Sequence, residues 1–447
     1  MTHVSPHPLA AQLVETAIRS GADEADALIA AGTALDVSVR KAETESIERS
    51  ESLQAGLRVI IGGRQASVGM SDVTDEAART ELVERAVAMA RVTPEDPHAG
   101  LPEVGSRPTD PVAVPLSDAA IPTTETLGEW AAAAEEAALA VPGITNTEGG
   151  HAGAADTTLT LSASDGFDAA YRRTHHSLSV SVVAGTGTGM ERDYDYSSAV
   201  RQADLTNPAE VGRRAGARTV ARLEPRKAPS AQVPVVFEPR VASGMLSLLA
   251  RAISGTAVAR GTTFLKDRMG SRLFPQGISI TDDPLRPFGH RSRPFDGEGV
   301  AVASRLVVDD GVLRTWLLDS RSARKLELAS TGSAARAPGG VPEPGPSNLF
   351  LAGGAVTPDE LLSDIRNGFY VTEMLGMSFN LVTGDYSRGA TGYWIENGEK
   401  THPVSEVTVA GNLADMFLNV TPADDLTFRT GIDSPTIRID GMTVAGI

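Results

Sequence analysis

Cysteine is absent from this 447-residue chain, which excludes disulfides, thiolate nucleophiles and thiolate-held metals together. Any metal would have to be held by His, Asp or Glu. Long hydrophobic runs are missing too: no stretch reads as a membrane span, and the first thirty residues carry no basic region followed by an apolar core. The expectation is a cytoplasmic protein with no membrane partner. Positive charge is in deficit, with 40 Lys and Arg against 57 Asp and Glu and a net charge of −17. Such a field repels a polyanion, so nucleic acid is not an expected partner. The densest basic run, Arg213 to Arg226, is interrupted by Ala, Leu and Glu on a helix-like segment and reads as a solvated helix face. Internal repeats and low-complexity tracts are also lacking, which excludes a solenoid.

What remains is the balance of a soluble globular protein, 41% hydrophobic and 22% charged, long enough for two or three domains. The fold class read from the pattern is α+β. A unit over 1–100 combines antiparallel strands with flanking helices. A middle α+β region covers 101–225, with a Pro-rich linker at 101–122. A β-rich C-terminal domain covers 226–447.

Helices are expected over Pro8 to Arg19, from Thr74, over Thr123 to Ala140, from Asn207-Pro208 to Leu223 and over Pro239 to Ser254. Strands are expected at Ala25 to Ala30, Ala34 to Arg40, Ala55 to Ile61, Gln65 to Gly69, Thr157 to Ala163, Ser177 to Val183 and Val233 to Glu238. Ser304 to Val308 and Val312 to Leu317 read as a hairpin turned by Asp309-Asp310-Gly311, and Asp440-Gly441 reads as the turn of another. Ala329 to Asn348, rich in Gly and Pro, reads as a mobile loop or lid. Thr357-Pro358-Asp359-Glu360 spells a capping box. Gly376 to Leu413 reads as a glycine-punctuated antiparallel sheet with strands at Ser378 to Thr383, Ala390 to Ile395 and Val404 to Val409, and Asn397-Gly398 suits a type I′ turn.

Candidate chemistry is thin. His3 and His7 have a four-residue spacing, but Val4 stands where a zinc helix needs Glu, and Pro6 breaks the helix. His175 and His176 are adjacent, so on a strand they face opposite ways and cannot chelate together. Asp282, Asp283, His290, Asp296 and Glu298 form the densest polar group. Its spacing matches no calcium loop, and Arg286, Arg291 and Arg293 lie among these residues as ready ion-pair partners, so a salt-bridged loop is the expectation. Ser387 lacks the glycine that a nucleophile elbow requires. Gly185, Gly187 and Gly189 have neither the lysine nor the helix start of a phosphate loop, which leaves a hairpin.

The segments LRVIIGGRQASVGMSDVTDEA, NPAEVGRRAGARTVARL, FDGEGVAVASRLVVDDGVLRTWLLDSRSARKL and NLFLAGG, with VTGDYSRGATGYWIENGE followed by PVSEVTVAGNL, resemble the TldD/PmbA family, and within it the PmbA (TldE) branch. The resemblance implies a two-subunit zinc peptidase. A TldD-like chain supplies zinc through a His-Glu-x-x-x-His helix and a later Cys, and the PmbA-type chain pairs with it. In this sequence Pro239 to Ser254 holds neither His nor Glu, and there is no Cys. The resemblance therefore implies no catalytic, cofactor-binding or metal residue here, zinc in the partner subunit, and a substrate that is an unfolded peptide or small peptide conjugate. A homo-oligomeric peptide-binding or scaffold protein is the alternative. The family's older label, modulation of DNA gyrase, fits poorly with direct DNA contact by so acidic a chain.

Overall fold

A computed structural model of the chain describes residues 6–446 except 72 and 377. The N-terminal half forms one six-stranded antiparallel sheet in the order β3-β2-β1-β4-β5-β6. Its strands are β1 (Glu24–Arg40), β2 (Glu43–Ile61), β3 (Arg64–Ser71), β4 (Ile144–Ala163), β5 (Asp168–Ala184) and β6 (Glu191–Ala199). The first and middle segments of the chain thus share a sheet, since β1 pairs with β4 from Asp26↔Ala163 to Val39↔Gly150.

Side chains alternate across this sheet: helices cover one face, and the second half of the chain covers part of the other, where Leu28 and Leu161 pack on Phe295. Ala25, Ala27 and Ile29 of β1, with Ala55, Leu57 and Val59 of β2, bury helices α1 (Pro6–Arg19) and α2 (Glu76–Val92). Val37 and Val39, with Leu178, Val180 and Val182, bury α3 (Thr124–Leu139) and α4 (Pro208–Ala221) on the same side. Local chemistry starts these helices: Thr123 accepts from Thr126 N, and Asn207 accepts from Ala209 N at 3.0 Å with Pro208 in the first turn. Further along the face away from the helices, cross-strand neighbours are small and polar: Gly32 with Ser52, Asp36 with Gly153, and Gly153 with Ser177.

The second half is built on a closed ring of strands: β7 (Ala231–Phe237), β8 (Asn367–Leu375), β9 (Asp385–Glu396), β10 (Glu399–Asn412) and β11 (Ile437–Ala445). They run in the order β10-β9-β8-β7-β11, and β10 then pairs with β11 at Thr408↔Ala445, which closes the ring and removes its edges. Helix α5 (Pro239–Ala252) leaves β7 directly. Its Ala242, Met245, Leu246 and Leu249, spaced on one face, enter the core beside Phe237 and Phe369. The fold is α+β, as the sequence pattern indicates.

Several local expectations change. Ala25 to Ala30 and Ala34 to Arg40 are one strand, and β2 starts at Glu43, twelve positions before its apolar part, in a segment whose residues 43–52 are exposed on both faces. Alternation has nothing to report where neither face is buried. Ser378 to Thr383 is a loop, and the strand of that hairpin lies earlier, at β8. Asp440-Gly441 is no hairpin turn. It is a register shift inside β11, between Ile439 and Met442. Asn397-Gly398 does turn β9 into β10, with φ of 50° and 85°. Thr357 and Glu360 form the capping box.

The loop at 329–348 is tied down, contrary to the reading as a mobile lid. Ala334–Ala335 pairs with Glu343–Pro344, Arg336 enters the interior, and Ser333, Ser347 and Asn348 are buried. Gly339 lies on the sheet above Gly56 and Gly69, where a Cβ on Gly56 would come within 2.0 Å of Gly339 N. Gly56→Ala is therefore expected to cost about 1–3 kcal/mol and lift this segment. Limited proteolysis checks it: new cleavage should fall within 336–342 and not elsewhere.

Candidate functional site

The helix on which the family resemblance would place a metal is α5, and its burial pattern leaves one stripe open. Arg240, Ser243, Gly244, Ser247 and Arg251 are not buried, at spacings of three, one, three and four residues. A Cβ on Gly244 would meet nothing within 4 Å, so free space lies over the middle of the stripe. At its N-terminal end Arg240 spans to the sheet, bonding Asp193 at 3.3 Å and lying 5.2 Å from the Tyr194 ring. Tyr194 sits opposite Ser181 on the sheet face away from the helices and stacks near Tyr196. At the C-terminal end Arg251 lies 4.8 Å from the Phe379 ring. The open stripe thus runs from an aromatic ledge on the sheet to the loop that follows β8.

The β6 edge is bound to the second half by a dense ion network. Asp195, fully buried, takes Arg214 at 2.6 Å, Arg218 at 3.5 Å and Arg429 at 3.2 Å. Arg222 reaches Asp193 at 3.5 Å and Glu373 at 2.8 Å. Burial alone would lower the Arg240 guanidinium, but Glu238 and Asp193 outweigh it and hold the group further into its charged form. Part of the basic run read as a solvated face is therefore inter-lobe contact. Arg214, Arg218 and Arg222 recur every four residues on one side of α4, against acids that alternate along β6. That matched spacing is the signal the sequence offered.

A second buried network joins the lobes. Arg58 holds both Asp26 and Glu298, and Arg336 pairs with Asp26 at 2.6 Å. Burial pushes the Asp26 carboxyl up, but Arg336 and then Arg58 pull it down to about 2. The expected partners of the polar group were the neighbouring arginines, and that expectation fails. Glu298 takes Arg58 and Ser320 N, Asp282 takes the Ser347 N–H and hydroxyl, and Asp296 accepts from Glu298 N, Val300 N and Ala334 N. Arg286 instead lies over the Phe428 ring, and Arg293 donates to the Ala334 carbonyl. These carboxylates are already saturated by the fold. Among the described residues no group of three or more His, Asp or Glu side chains is placed to hold a metal.

The histidines separate as alternation requires. His176 is buried with Nε2 3.7 Å from Asp118, whereas His175 faces His290, ring centroids 6.1 Å apart. His7 pairs with Asp168 at 3.3 Å, and His3 lies outside the described residues. Ser387 is exposed on β9, and Gly187–Gly189 is a short turn between β5 and β6. Burial first, then the neighbouring His290 and Arg173, lower His175 to about 4. Its neutral ring contributes stability above about pH 6.5 that is lost as pH falls toward 4, on the order of 1 kcal/mol after solvent screening. His175→Phe should flatten that part of a urea-midpoint profile taken between pH 7 and pH 4.

The open stripe does not fit a zinc ion. Ser243, Gly244 and Ser247 offer no nitrogen or carboxylate ligand, and Arg251 brings positive charge. What the stripe can offer is a polar, sterically open wall beside an aromatic ledge, suited to lying against a chain.

Models of the PmbA/TldA metallopeptidase match in three parts: domain 1 at residues 25–90, the central domain at 117–223 and the C-terminal domain at 230–446. The metalloprotease PmbA of Escherichia coli O157:H7 is 39% identical over 95% of this chain and 92% of its own length. The PmbA homolog of Haemophilus influenzae is 35% identical over 97% and 94%. A proposed modulator of DNA gyrase from Bacteroides thetaiotaomicron superposes with a TM-score of 0.90 at 25% identity, covering 98% of each chain. TldE from Thermococcus kodakarensis shares the fold at a TM-score of 0.86 and 21% identity, over 98% of this chain and 99% of that one. The chain belongs to the PmbA/TldD metallopeptidase family.

Proposed function

We propose that this chain is the metal-free subunit of a two-chain zinc metallopeptidase, acting beside a TldD-like subunit that holds the zinc. The observation that carries this reading is the open stripe of α5, which presents Ser243, Gly244, Ser247 and Arg251 and no metal ligand, in a chain with no cysteine. The role left to this chain is to shape the cleft. An extended peptide, free or as a small conjugate, would lie along the stripe and the small-residue sheet face while hydrolysis proceeds on the partner. Among the described residues no helix is long and apolar enough to cross a membrane.

Metal analysis and peptide cleavage test this directly, on the chain alone and mixed with a TldD-like protein. The expected result is no stoichiometric zinc and no cleavage alone, with chelator-sensitive cleavage on mixing. Cleavage by the isolated chain that persists in chelator, or a zinc ion held by its own side chains, would sink the reading.

A further inference from the structure

The loop between β8 and β9 is held firmly yet carries apolar side chains into solvent. Asn380 accepts from Val382 N at 2.9 Å through its side chain and from Gly384 N at 2.7 Å through its carbonyl, and Phe264 N binds the Leu381 carbonyl at 2.7 Å. Val382 is nevertheless 57% exposed, and its neighbour Thr383 lines a cavity with Leu418, itself 44% exposed. The cavity is about 240 Å³, room for one large side chain, with Phe264, Leu273 and Phe417 in its walls and Arg268 and Arg272 at its margin. Phe379 and Leu381 anchor this loop on the core, which holds Val382 in place at the surface.

Two arginines, Arg268 and Arg272, line the cavity, and the stretch that carries them is basic although the molecule is acidic. Arg260, Lys266, Arg268 and Arg272 lie within thirteen residues that contain one acid, Asp267, in a chain of net charge −17. Arg272 is engaged by Asp310, but Arg268 has no ion-pair partner among the described residues. A second copy of this chain would bring the same cations together across the face, so like charge opposes self-association here. A nucleic acid would satisfy the cations and leave the apolar centre uncovered.

We infer that this face, centred on Leu418 and the cavity it lines, with Val382 beside the cavity-lining Thr383, docks a segment of a different polypeptide that places a large apolar side chain next to Asp or Glu. The inference rests on the two-chain reading and names where the second chain sits. An anchor in the pocket ringed by complementary charge is the arrangement that gives an interface both affinity and steering.

The experiment measures the affinity of the full chain for a TldD-like subunit at low and moderate salt, for the native chain and for Leu418→Asp, Val382→Asp and Arg268→Glu. Arg49→Glu, on the exposed arm of β2, serves as control. All four positions are exposed, and unchanged thermal unfolding confirms folding. The expected result is at least tenfold weaker binding for each of the three, a reduced salt dependence for Arg268→Glu, and no change for Arg49→Glu. A complex that forms normally with all three overturns this inference and leaves the two-chain reading intact; no complex with the native chain overturns both. Loss of a homodimer in light scattering on Leu418→Asp, or loss of duplex oligonucleotide binding by Arg268→Glu with the protein complex intact, would also overturn it.

Discussion

Arg58→Met is expected to destabilise the folded chain by about 3–5 kcal/mol, the cost of breaking a buried ion network by removing one member. Arg58 is 2% exposed and bonds carboxylates from both lobes, Asp26 on β1 and Glu298 in the second half. Methionine fills much of the volume but leaves two buried carboxylates facing the single charge of Arg336. Desolvated and short of partners, one carboxylate must take up a proton or draw in water. The low Asp26 pKa gives a second readout with a defined sign. A carboxyl held near 2 in the folded chain contributes stability above pH 4 that is lost as pH falls toward 2. In Arg58→Met that loss should begin at higher pH. Urea midpoints at pH 7 and pH 4 measure both effects, with Arg49→Met as contrast. Arg49 and Glu51 are 73% and 61% exposed and 4.0 Å apart, a surface pair whose removal should leave the midpoint in place.

Phe237→Ala should lower stability by a similar amount, about 3–5 kcal/mol, and should also disturb the site. Phe237 is 1% exposed at the end of β7, flanked by Val371 of β8 and Ile437 of β11. Two residues further on, Pro239 opens α5, so the ring that fills the barrel also fixes where the helix starts. A cavity there loosens the anchor of the open stripe. Phe237→Leu keeps most of the volume and should cost less than about 1.5 kcal/mol. The expected pattern is a large fall in urea midpoint for alanine, a small one for leucine, and loss of partner-dependent peptide cleavage in the alanine variant alone. Equal midpoints for the two variants would contradict this account of the core.

The parts of the fold written in local chemistry could be read from the sequence. Asn207 with Pro208, Thr123, and Thr357 with Glu360 mark helix starts through a side-chain oxygen a few residues from the backbone N–H it satisfies. Asn397-Gly398 fixes its turn in the same local way. What the sequence hid was distance. Arg336 and Asp26 meet across 310 positions, so the stretch around Arg336 reads as loose when its anchor lies at the other end of the chain. The exposed half of β2 left no apolar alternation to detect, because hydrogen bonding to β1, from Glu43↔Arg40 onward, makes it a strand. For the site, composition already showed that α5 lacks ligands. Which of its faces stays open became visible only with the helix seated on the barrel.

The barrel's closure sets a timetable for biosynthesis. β7 lies between β8 and β11, a strand about two hundred positions further along the chain, pairing Ile437 with Phe237. While the ribosome still holds those residues, β7 waits with one flank bare, although the sheet of the first half has all its strands. A nascent chain halted shortly before Ile437 should therefore present a protease-resistant front and a sticky, unfinished rear, and β11 is the clasp that closes the barrel.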